Sequence, residues 1–230
     1  EYDVSLQTGA TVLKNLADEK YQPIDIFISK AGKWHRGGIE VLPIKALQGV
    51  DVVFNALHGE YGEDGKVQQE LELYGVSYTG SSALSSALAM NKAHAKEYFK
   101  KAGLKTAQSR LLRVGDDHHD ALFAIFRSMP MPVVVKPVTC GSSVCVSIVG
   151  DLEGLTEAVR KAFQYSSTVL IEEYIRGREA TCGVIDHFRQ KRFYSLLPIE
   201  ILPPPRKAFY DYEAKYQSDE TGSVVAGQFS

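Results

Sequence analysis

Cysteine is scarce in this sequence, since the 230 residues contain only Cys140, Cys145 and Cys182. Their spacing fits no metal-ligand pattern, and an odd number of thiols cannot pair completely in disulfides. Together with the lack of a charged-then-apolar leader, this favours reduced thiols in a cytoplasmic protein. We expect all three to be small buried hydrophobic side chains.

An excess of charge and long apolar runs are also lacking. The formal net charge is −2, so nothing in the composition favours binding to nucleic acid or to an anionic membrane. Apolar runs such as residues 132–135 are too short to span a bilayer. A composition of 44% hydrophobic and 23% charged residues is typical of a folded protein with one large domain or two ordinary ones.

The two common glycine-rich nucleotide motifs are missing. Neither the P-loop pattern nor the dinucleotide pattern Gly-x-Gly-x-x-Gly occurs anywhere in the chain. A different glycine turn, Gly141-Ser142-Ser143, lies between two predicted strands and offers backbone N–H groups and two hydroxyls. It fits a phosphate cradle or a plain hairpin turn equally well.

The first part of the chain predicts strands and helices in alternation, which is typical of an open parallel α/β sheet. Ser5 is a candidate helix cap at the start of the first helix. Because ligands of such sheets bind at the carboxyl ends of strands, His58 after the buried run 52–57 lies at an expected site edge. The predicted elements are a helix to about Asp18, strands at 23–29, 52–57 and 76–80, and a helix at 67–74.

The remainder predicts a second α/β unit and a group of strands. Gly103 is a good C-cap for the helix that precedes it, and His118-His119 looks like a solvated helix start rather than a metal site. The predicted elements are helices at 91–102 and 152–163 and strands at 132–136, 144–149, 169–174, 180–186 and 192–201.

Two lysines are candidates for contact with an anion. Lys136 follows three valines at the end of a predicted buried strand, where desolvation is unfavourable unless an anion lies nearby. Lys92 lies early in a predicted helix, where the helix dipole does not favour a cation. Phosphate would satisfy both, although each lysine could also extend its ammonium group to solvent.

Several acidic residues surround the end of the predicted strand 169–174. Glu172 and Glu173 must point to opposite faces of that strand, and Glu179 follows closely. A carboxylate there could accept hydrogen bonds from an adenine amino group or ribose hydroxyls, or could lie on a solvated edge. His58 could likewise contact a ligand or be an ordinary loop histidine.

Residues 209–221 combine three tyrosines, four carboxylates and one lysine, and three prolines at 203–205 lie shortly before them. No helix or strand period fits this run, so we expect a loop that closes over a ligand.

The order of these motifs resembles the D-alanine–D-alanine ligases, a branch of the ATP-grasp enzymes, over residues 1–221. The matching segments are Glu-x-Asp-Val-Ser at 1–5, Ala-Leu-His-Gly at 56–59, Gly-Glu-Asp-Gly at 62–65, Tyr-Thr-Gly-Ser at 78–81, Met-Asn-Lys at 90–92, Val-Lys-Pro at 135–137, Gly-Ser-Ser-Val at 141–144 and the run 209–221.

The resemblance implies an α/β protein with an N-terminal open parallel-sheet domain followed by an incomplete ATP-grasp fold. We expect a substrate-binding domain at 1–86 without its first strand, a central ATP-grasp subdomain at 87–173, and an incomplete C-terminal subdomain with a lid at 174–230. Segments are therefore expected before Glu1 and after Ser230.

It also implies ATP-dependent joining of two D-alanines through an acyl phosphate, as a step of peptidoglycan precursor synthesis. The alternatives are a degenerate nucleotide-binding homologue and a ligase that takes D-lactate or D-serine second. The implied ligands are D-alanine and ATP, with Mg²⁺ held by residues outside this chain. The implied protein is cytoplasmic, and a homodimer fits the resemblance.

Residue roles follow from the matched motifs. Glu1 would bind the ammonium group of the first D-alanine beside His58, and Glu1, Ser142 and Tyr210 would form a hydrogen-bonded trio that ties down the lid. Lys215 would reach the transferred phosphate. The nucleotide would contact Lys92, Lys136, Ser143, the hinge residues Glu172, Glu173, Tyr174 and Ile175, and Glu179.

Three departures limit the resemblance. Val138-Thr139-Cys140 and Cys145 replace the residues usual around the serine pair, so a stiffer or differently shaped loop is expected. Residues 222–230 do not continue the family pattern. The later metal-binding carboxylates and asparagine, and an arginine that stabilises the oxyanion, are absent, so the 230 residues alone should ligate poorly.

Overall fold

A computed structural model describes residues 1–17, 19–116 and 118–201, without the side chain of His118. The chain divides into two compact units. Unit 1 comprises Glu1–Thr106 and Val138–Gly141, and unit 2 comprises Ala107–Pro137 and Ser142–Ser230. The three-part division at residues 86 and 173 stays a prediction.

Unit 1 opens with helix α1 (Tyr2–Asn15), which begins earlier than predicted. Glu1, not Ser5, occupies the N-cap position, so the assignment of Ser5 as helix cap is wrong. Ser5 is buried within the helix, and its hydroxyl donates to the carbonyl of Glu1 one turn back, at 3.2 Å. The helix ends at Asn15, and Asp18 lies outside the described residues.

Two small sheets form the β-structure of unit 1. The first is an antiparallel meander in which the middle strand pairs with both others. The second is a single parallel pair of strands. The meander was not predicted beyond its first strand, because its other two strands are three residues long and flank a glycine pair. The strands are β1 (Ile26–Ile28), β2 (Trp34–Arg36), β3 (Ile39–Val41), β4 (Val52–Val53) and β5 (Ser77–Tyr78).

The run 52–57 is less buried than its composition predicts. Val52 is 54% exposed and Phe54 is 53% exposed, so the expectation of a buried strand is wrong there. Within the described residues β4 pairs with β5 alone, which leaves its other edge and much of its surface uncovered. The core of unit 1 lies instead around Trp34, Ala46, Leu47, Val67 and Leu71.

The remaining helices of unit 1 have clear boundary signals. The side chain of Asn91 accepts a hydrogen bond from the backbone N–H of His94, and Gly103 follows the last turn of the same helix with φ +76°. The predicted helices at 67–74 and 91–102 are thereby confirmed. The helices are α2 (Pro43–Ala46), α3 (Lys66–Leu73), α4 (Ala83–Met90) and α5 (Lys92–Lys101).

Unit 2 is built on a four-stranded antiparallel sheet with the spatial order β6–β9–β7–β8. Helices α6 and α7 accompany it, and α6 begins at His118, as the sequence indicated. The elements are β6 (Ser109–Arg113), α6 (His118–Ser128), β7 (Val133–Pro137), β8 (Ser147–Val149), α7 (Leu152–Ala162) and β9 (Thr168–Glu173).

Alternation along β7 and β9 gives this sheet two different faces. Val133, Val135, Val169 and Ile171 share one face, and they form a core with Leu155 and other side chains of α6 and α7. Full burial of each such side chain contributes roughly 1.5–3 kcal/mol. The opposite face carries the alternate residues, including Lys136 and Glu172.

The two long strands predicted at 180–186 and 192–201 are each divided. Cys182 and Gly183 interrupt the first, and residues 196–198 interrupt the second at matching positions. Leu196 N–H still donates to the Gly183 carbonyl at 2.9 Å, so the two breaks lie opposite each other. The strands are β10 (Glu179–Thr181), β11 (Val184–Phe188), β12 (Lys191–Ser195) and β13 (Ile199–Ile201), paired as β10–β13 and β11–β12.

None of the three cysteines is fully buried, so that expectation is wrong. Cys182 is exposed, and Cys140 and Cys145 are half-buried. Partial burial raises the pKa of the Cys145 thiol, although Lys161 opposes the change. Among the described helices, none combines the length and the apolar character that crossing a membrane requires.

Candidate functional site

Helix α1 fixes the position of His58 through two hydroxyl groups. The Thr8 hydroxyl lies 2.8 Å from His58 Nε2, and the backbone N–H of His58 donates to the Ser5 hydroxyl at 2.9 Å. Ser5 and Thr8 are three residues apart, so both side chains lie on one face of the helix. The imidazole that the sequence singled out is therefore held by the segment that begins with Glu1.

Gly59 brings the backbone against the carboxylate of Glu1. Its φ is +72°, and a methyl group at this position would overlap the Glu1 side chain. Glycine is required here both for the left-handed backbone and for the close approach. The loop closes on itself because Gly59 N–H donates to Glu63 Oε2 at 2.9 Å and Glu63 N–H donates to the Gly59 carbonyl at 2.9 Å.

Two carboxylates meet at Gly141 within unit 1. A Cβ at Gly141 would lie 3.4 Å from Glu1 Oε1 and 3.4 Å from Glu63 Oε2. Glu63 Oε1 is also 4.0 Å from His58 Nδ1. We call Glu1, His58 and Glu63 the carboxylate–histidine cluster. Two like charges placed this close repel each other, and a cation such as an ammonium group would offset that repulsion.

Lys92 anchors the segment 138–141 to the start of helix α5. Its backbone N–H donates to the Val138 carbonyl at 3.1 Å, and its ammonium group donates to the carbonyls of Val138 and Cys140. These contacts hold Gly141 in place beside the carboxylate–histidine cluster. The contact of Lys92 with nucleotide phosphates stays a prediction.

Lys136 and Glu172 form an ion pair on the sheet face of unit 2 that lies opposite the helical core. Glu172 pairs with Val134 and Lys136 pairs with Leu170, which makes the two charged residues diagonal neighbours on one face. Glu172 is only 8% exposed. We call these two residues the sheet-face ion pair. By strand register, the apolar residues of the same face are Leu111, Val134, Ile148 and Leu170.

The predicted hinge, residues 172–175, lies at the end of β9. Glu173 exchanges two hydrogen bonds with Gln108: its N–H donates to the carbonyl at 3.0 Å, and its carboxylate accepts from the N–H at 2.9 Å. Tyr174 N–H donates to the Pro132 carbonyl at 3.2 Å. Ile175 is 64% exposed. Hydrogen bonds thus hold the backbone of the hinge at Glu173 and Tyr174, whereas the apolar side chain of Ile175 is exposed.

The other predicted residues have known positions but untested roles. Glu179 is exposed at the start of β10. Ser142 and Ser143 lie in unit 2 with φ values of 50° and 58°, and Cys145 has φ 54°. Left-handed backbone at non-glycine residues costs roughly 1–2 kcal/mol each, so the shape of this turn is specified by its surroundings. Tyr210 and Lys215 lie outside the described residues.

The described residues do not fit a metal site. Within 1–17, 19–116 and 118–201, no three His, Cys, Asp or Glu side chains come together as metal ligands would.

Three residues of the site were not singled out from the sequence as functional. Glu63 lies in the motif Gly-Glu-Asp-Gly, which was used only for its resemblance. Ser5 and Thr8 hold His58 from a distance of about fifty residues along the chain. Their spacing of three on a predicted helix was the available signal, but nothing in the sequence relates that helix face to residue 58.

Two family models match the chain. The model described as "D-ala D-ala ligase C-terminus" matches residues 98–229, and "D-ala D-ala ligase N-terminus" matches residues 38–81. The first covers more than half of the chain.

Sequence and structure comparisons agree with these models. The D-alanine–D-alanine ligase of Geobacter sulfurreducens is 41% identical over 97% of this chain, which spans 64% of that relative's length. The VanG D-Ala:D-Ser ligase of Enterococcus faecalis is 30% identical with a TM-score of 0.77, and the match covers 95% of this chain and 70% of that one. The D-alanine–D-alanine ligase of Bacillus anthracis complexed with ATP is 32% identical with a TM-score of 0.68, covering 86% of this chain and 62% of that one.

These likenesses confirm the mixed α/β class expected of a partial ATP-grasp fold. The chain spans less than two thirds of the first curated relatives, so the match concerns a part of their length. The family-model match over residues 98–229 and the order of the motifs show that the chain belongs to the D-alanine–D-alanine ligase family.

Proposed function

We propose that the full-length protein joins two D-alanines to D-alanyl-D-alanine at the expense of ATP. The observation that carries this proposal is the convergence of the Glu1 and Glu63 carboxylates on Gly141, beside His58, in a chain of this family. Such a cluster suits the ammonium group of an amino acid, and the family supplies the identity of that amino acid.

The unit 1 cluster would bind the first D-alanine. Glu1 would accept hydrogen bonds from its ammonium group, and Glu63 would add a second negative charge nearby. His58 has an Nε2 contact to Thr8, and its Nδ1 lies towards Glu63. This arrangement would keep the imidazole in one orientation beside the substrate.

The sheet face of unit 2 would bind ATP. It combines apolar side chains suited to a purine ring with a lysine suited to a phosphate and a carboxylate able to accept from an amino group. The related Bacillus anthracis enzyme has been solved with ATP, which supports this use of the fold. Lys92, Ser143, the hinge 172–175 and Glu179 are proposed to complete the nucleotide contacts.

The reaction proposed has two steps. An oxygen of the first D-alanine carboxylate attacks the γ-phosphorus of ATP, which forms an acyl phosphate and releases ADP. The amine of the second D-alanine then attacks the acyl carbon, loses a proton, and expels phosphate as the peptide bond forms. Because water would hydrolyse the acyl phosphate, a closed lid is needed, and we assign that role to the segment containing Tyr210 and Lys215, with Tyr210 joined to Ser142 and Glu1.

Mg²⁺ is expected for a reaction of ATP, since it would neutralise phosphate charge as that charge shifts. The described residues do not fit such a site. We propose that its ligands belong to parts of the full-length protein outside this chain.

The second substrate has two named alternatives to D-alanine. One matched structure is a D-Ala:D-Ser ligase, which makes D-serine a specific alternative to D-alanine as the second substrate. D-lactate is the remaining alternative. A degenerate homologue that binds nucleotide without ligation is the alternative of a different class.

In the cell, the proposed product would enter peptidoglycan precursor synthesis in the cytoplasm of a bacterium. A homodimer and the three-part division at residues 1–86, 87–173 and 174–230 belong to the same proposal. No role in binding nucleic acid or membranes is proposed.

The test is ADP release by the purified full-length protein with ATP and Mg²⁺. We expect ADP only when D-alanine is present, together with D-alanyl-D-alanine detected by mass spectrometry. Parallel reactions add D-serine or D-lactate to identify the second substrate. Nucleotide binding without D-alanine-dependent ADP would reject ligation and leave the degenerate homologue.

A further inference from the structure

The sheet-face ion pair has a geometry that a simple surface contact lacks. Glu172 lies on β9, which has β6 on one side and β7 on the other, so its backbone is bonded in the middle of the sheet. The carboxylate is 10% exposed as a side chain, and Lys136 is 23% exposed. By contrast, Lys33 and Glu40 form a pair in which both side chains are more than half exposed.

A carboxylate partner helps a lysine to bind a phosphate from a defined position. Its side chain has four rotatable bonds and loses much conformational freedom when its ammonium group is fixed. A rigid carboxylate that already holds the ammonium group removes this loss from the binding step. The ammonium group has three N–H donors, so pairing with one carboxylate leaves donors for a phosphate.

We propose that Glu172 is a positioning residue that holds the ammonium group of Lys136 ready for the phosphates of the nucleotide. This role is additional to any contact of Glu172 with the base. It rests on the proposed function only in taking the bound anion to be a nucleotide phosphate. The register that places Lys136 and Glu172 diagonally on β7 and β9 is the structural basis.

The test separates the two ends of the nucleotide. Tripolyphosphate has no base and adenosine has no phosphate, so calorimetry with each probe reports on one end alone. In Glu172→Gln, which keeps the shape but removes the charge, we expect tripolyphosphate to bind about tenfold more weakly, the effect typical of losing a charged hydrogen-bond partner. Lys136→Met should weaken tripolyphosphate at least as much and leave adenosine little changed.

Glu157→Gln is the matched control. It makes the same chemical change in unit 2, at an exposed carboxylate of α7 that pairs with Arg160. Removing a negative charge there should leave tripolyphosphate affinity unchanged. Glu172→Asp keeps the charge on a shorter side chain and should give an intermediate loss, and circular dichroism checks that each variant is folded.

Two results would overturn the inference. One is unchanged or tighter tripolyphosphate binding in Glu172→Gln, which would mean that the carboxylate competes for the lysine or does not orient it. The other is a loss confined to adenosine, which would limit Glu172 to the base. Neither result decides whether the protein is a ligase. D-alanine-dependent ADP formation by the unaltered protein is measured separately, and it alone tests the proposed function.

Discussion

The carboxylate–histidine cluster of unit 1 and the sheet-face ion pair of unit 2 hold their charges in different ways. In unit 1 a loop is folded by two hydrogen bonds between Gly59 and Glu63 and by the φ of +72° at Gly59, which lies against Glu1. In unit 2 two strands in fixed register place Lys136 and Glu172 together. The first arrangement leaves two carboxylates close to each other, whereas the second leaves a neutral pair.

The two regions should therefore be sensitive to different kinds of substitution. A cluster fixed by a loop depends on small backbone features, so adding one methyl group should disturb it. A pair fixed by a sheet depends on charge balance, because the hydrophobic pattern of the strands, rather than this pair, sets their register. Variants that change one of these factors at a time can test the comparison.

Lys136→Met should have the largest effect. It leaves the Glu172 carboxylate largely buried without its cation, which we expect to lower the free energy of unfolding by about 3 kcal/mol. Urea unfolding monitored by circular dichroism measures this. The double variant Lys136→Met with Glu172→Leu should recover much of the lost stability, because no buried charge remains.

The exposed pair provides the control for that prediction. Lys33→Met breaks the ion pair with Glu40 at the surface and should leave the free energy of unfolding nearly unchanged. Equal losses in Lys33→Met and Lys136→Met would contradict the idea that burial makes the sheet-face ion pair important.

Gly59→Ala should have the next largest effect, this time on unit 1. The new methyl group overlaps the Glu1 carboxylate and occupies a left-handed backbone position, which together should cost about 2 kcal/mol. D-alanine-dependent ADP formation should fall at least about tenfold, because Glu1 must move.

Gly75→Ala separates strain from contact. Gly75 has a similar φ of +68°, but a Cβ there meets no atom within 4 Å. It should lose about 1 kcal/mol through backbone strain alone and retain activity. If both variants lose activity equally, the close approach of Gly59 to Glu1 has no special role.

The sequence predicted the ingredients of both regions but not how they are assembled. The sequence named four of their residues as candidates: Glu1, His58, Lys136 and Glu172. Motif order and a charged residue after an apolar run can both be seen in the sequence. The contact of Glu63 with the site was not identified, since it depends on how a glycine loop folds back. The direct pairing of Lys136 with Glu172 depends on strand register, which the sequence alone did not specify.

The fold shows the same limit. Helices with capping signals, such as α5 and α7, were predicted within one or two residues. Short strands were not, since β2 and β3 are defined by pairing with neighbours rather than by a hydrophobic period. The long strands predicted in the last part failed because the interruptions at residues 182–183 and 196–198 act together across the sheet.

Thr8→Val tests the support of His58 in unit 1. The change removes the hydroxyl that lies 2.8 Å from His58 Nε2 and keeps the size of the side chain. The KM for the first D-alanine should rise about fivefold, as expected for the loss of one hydrogen bond, with little change in kcat. Thr11→Val is the control, because the Thr11 hydroxyl donates to the carbonyl of Gln7 within its own helix. An equal rise in KM there would indicate a general effect on α1.

The smallest predicted effect is a change in how stability depends on pH. Glu72 accepts hydrogen bonds from the N–H of Ala83 and from the hydroxyl of Tyr78, at 2.9 and 2.6 Å, and these contacts lower its pKa below the ordinary 4.5. A carboxyl whose pKa is lower in the folded state stabilises the fold above pH 4.5, and this contribution is lost as the pH falls through the folded-state pKa. Glu72→Gln should therefore flatten the decline in unfolding free energy between neutral pH and pH 3, measured by urea titrations, and Tyr78→Phe should flatten it partly. An unchanged acid decline in Glu72→Gln would show that the hydrogen bonds of Glu72 to Ala83 and Tyr78 do not contribute to the stability of unit 1.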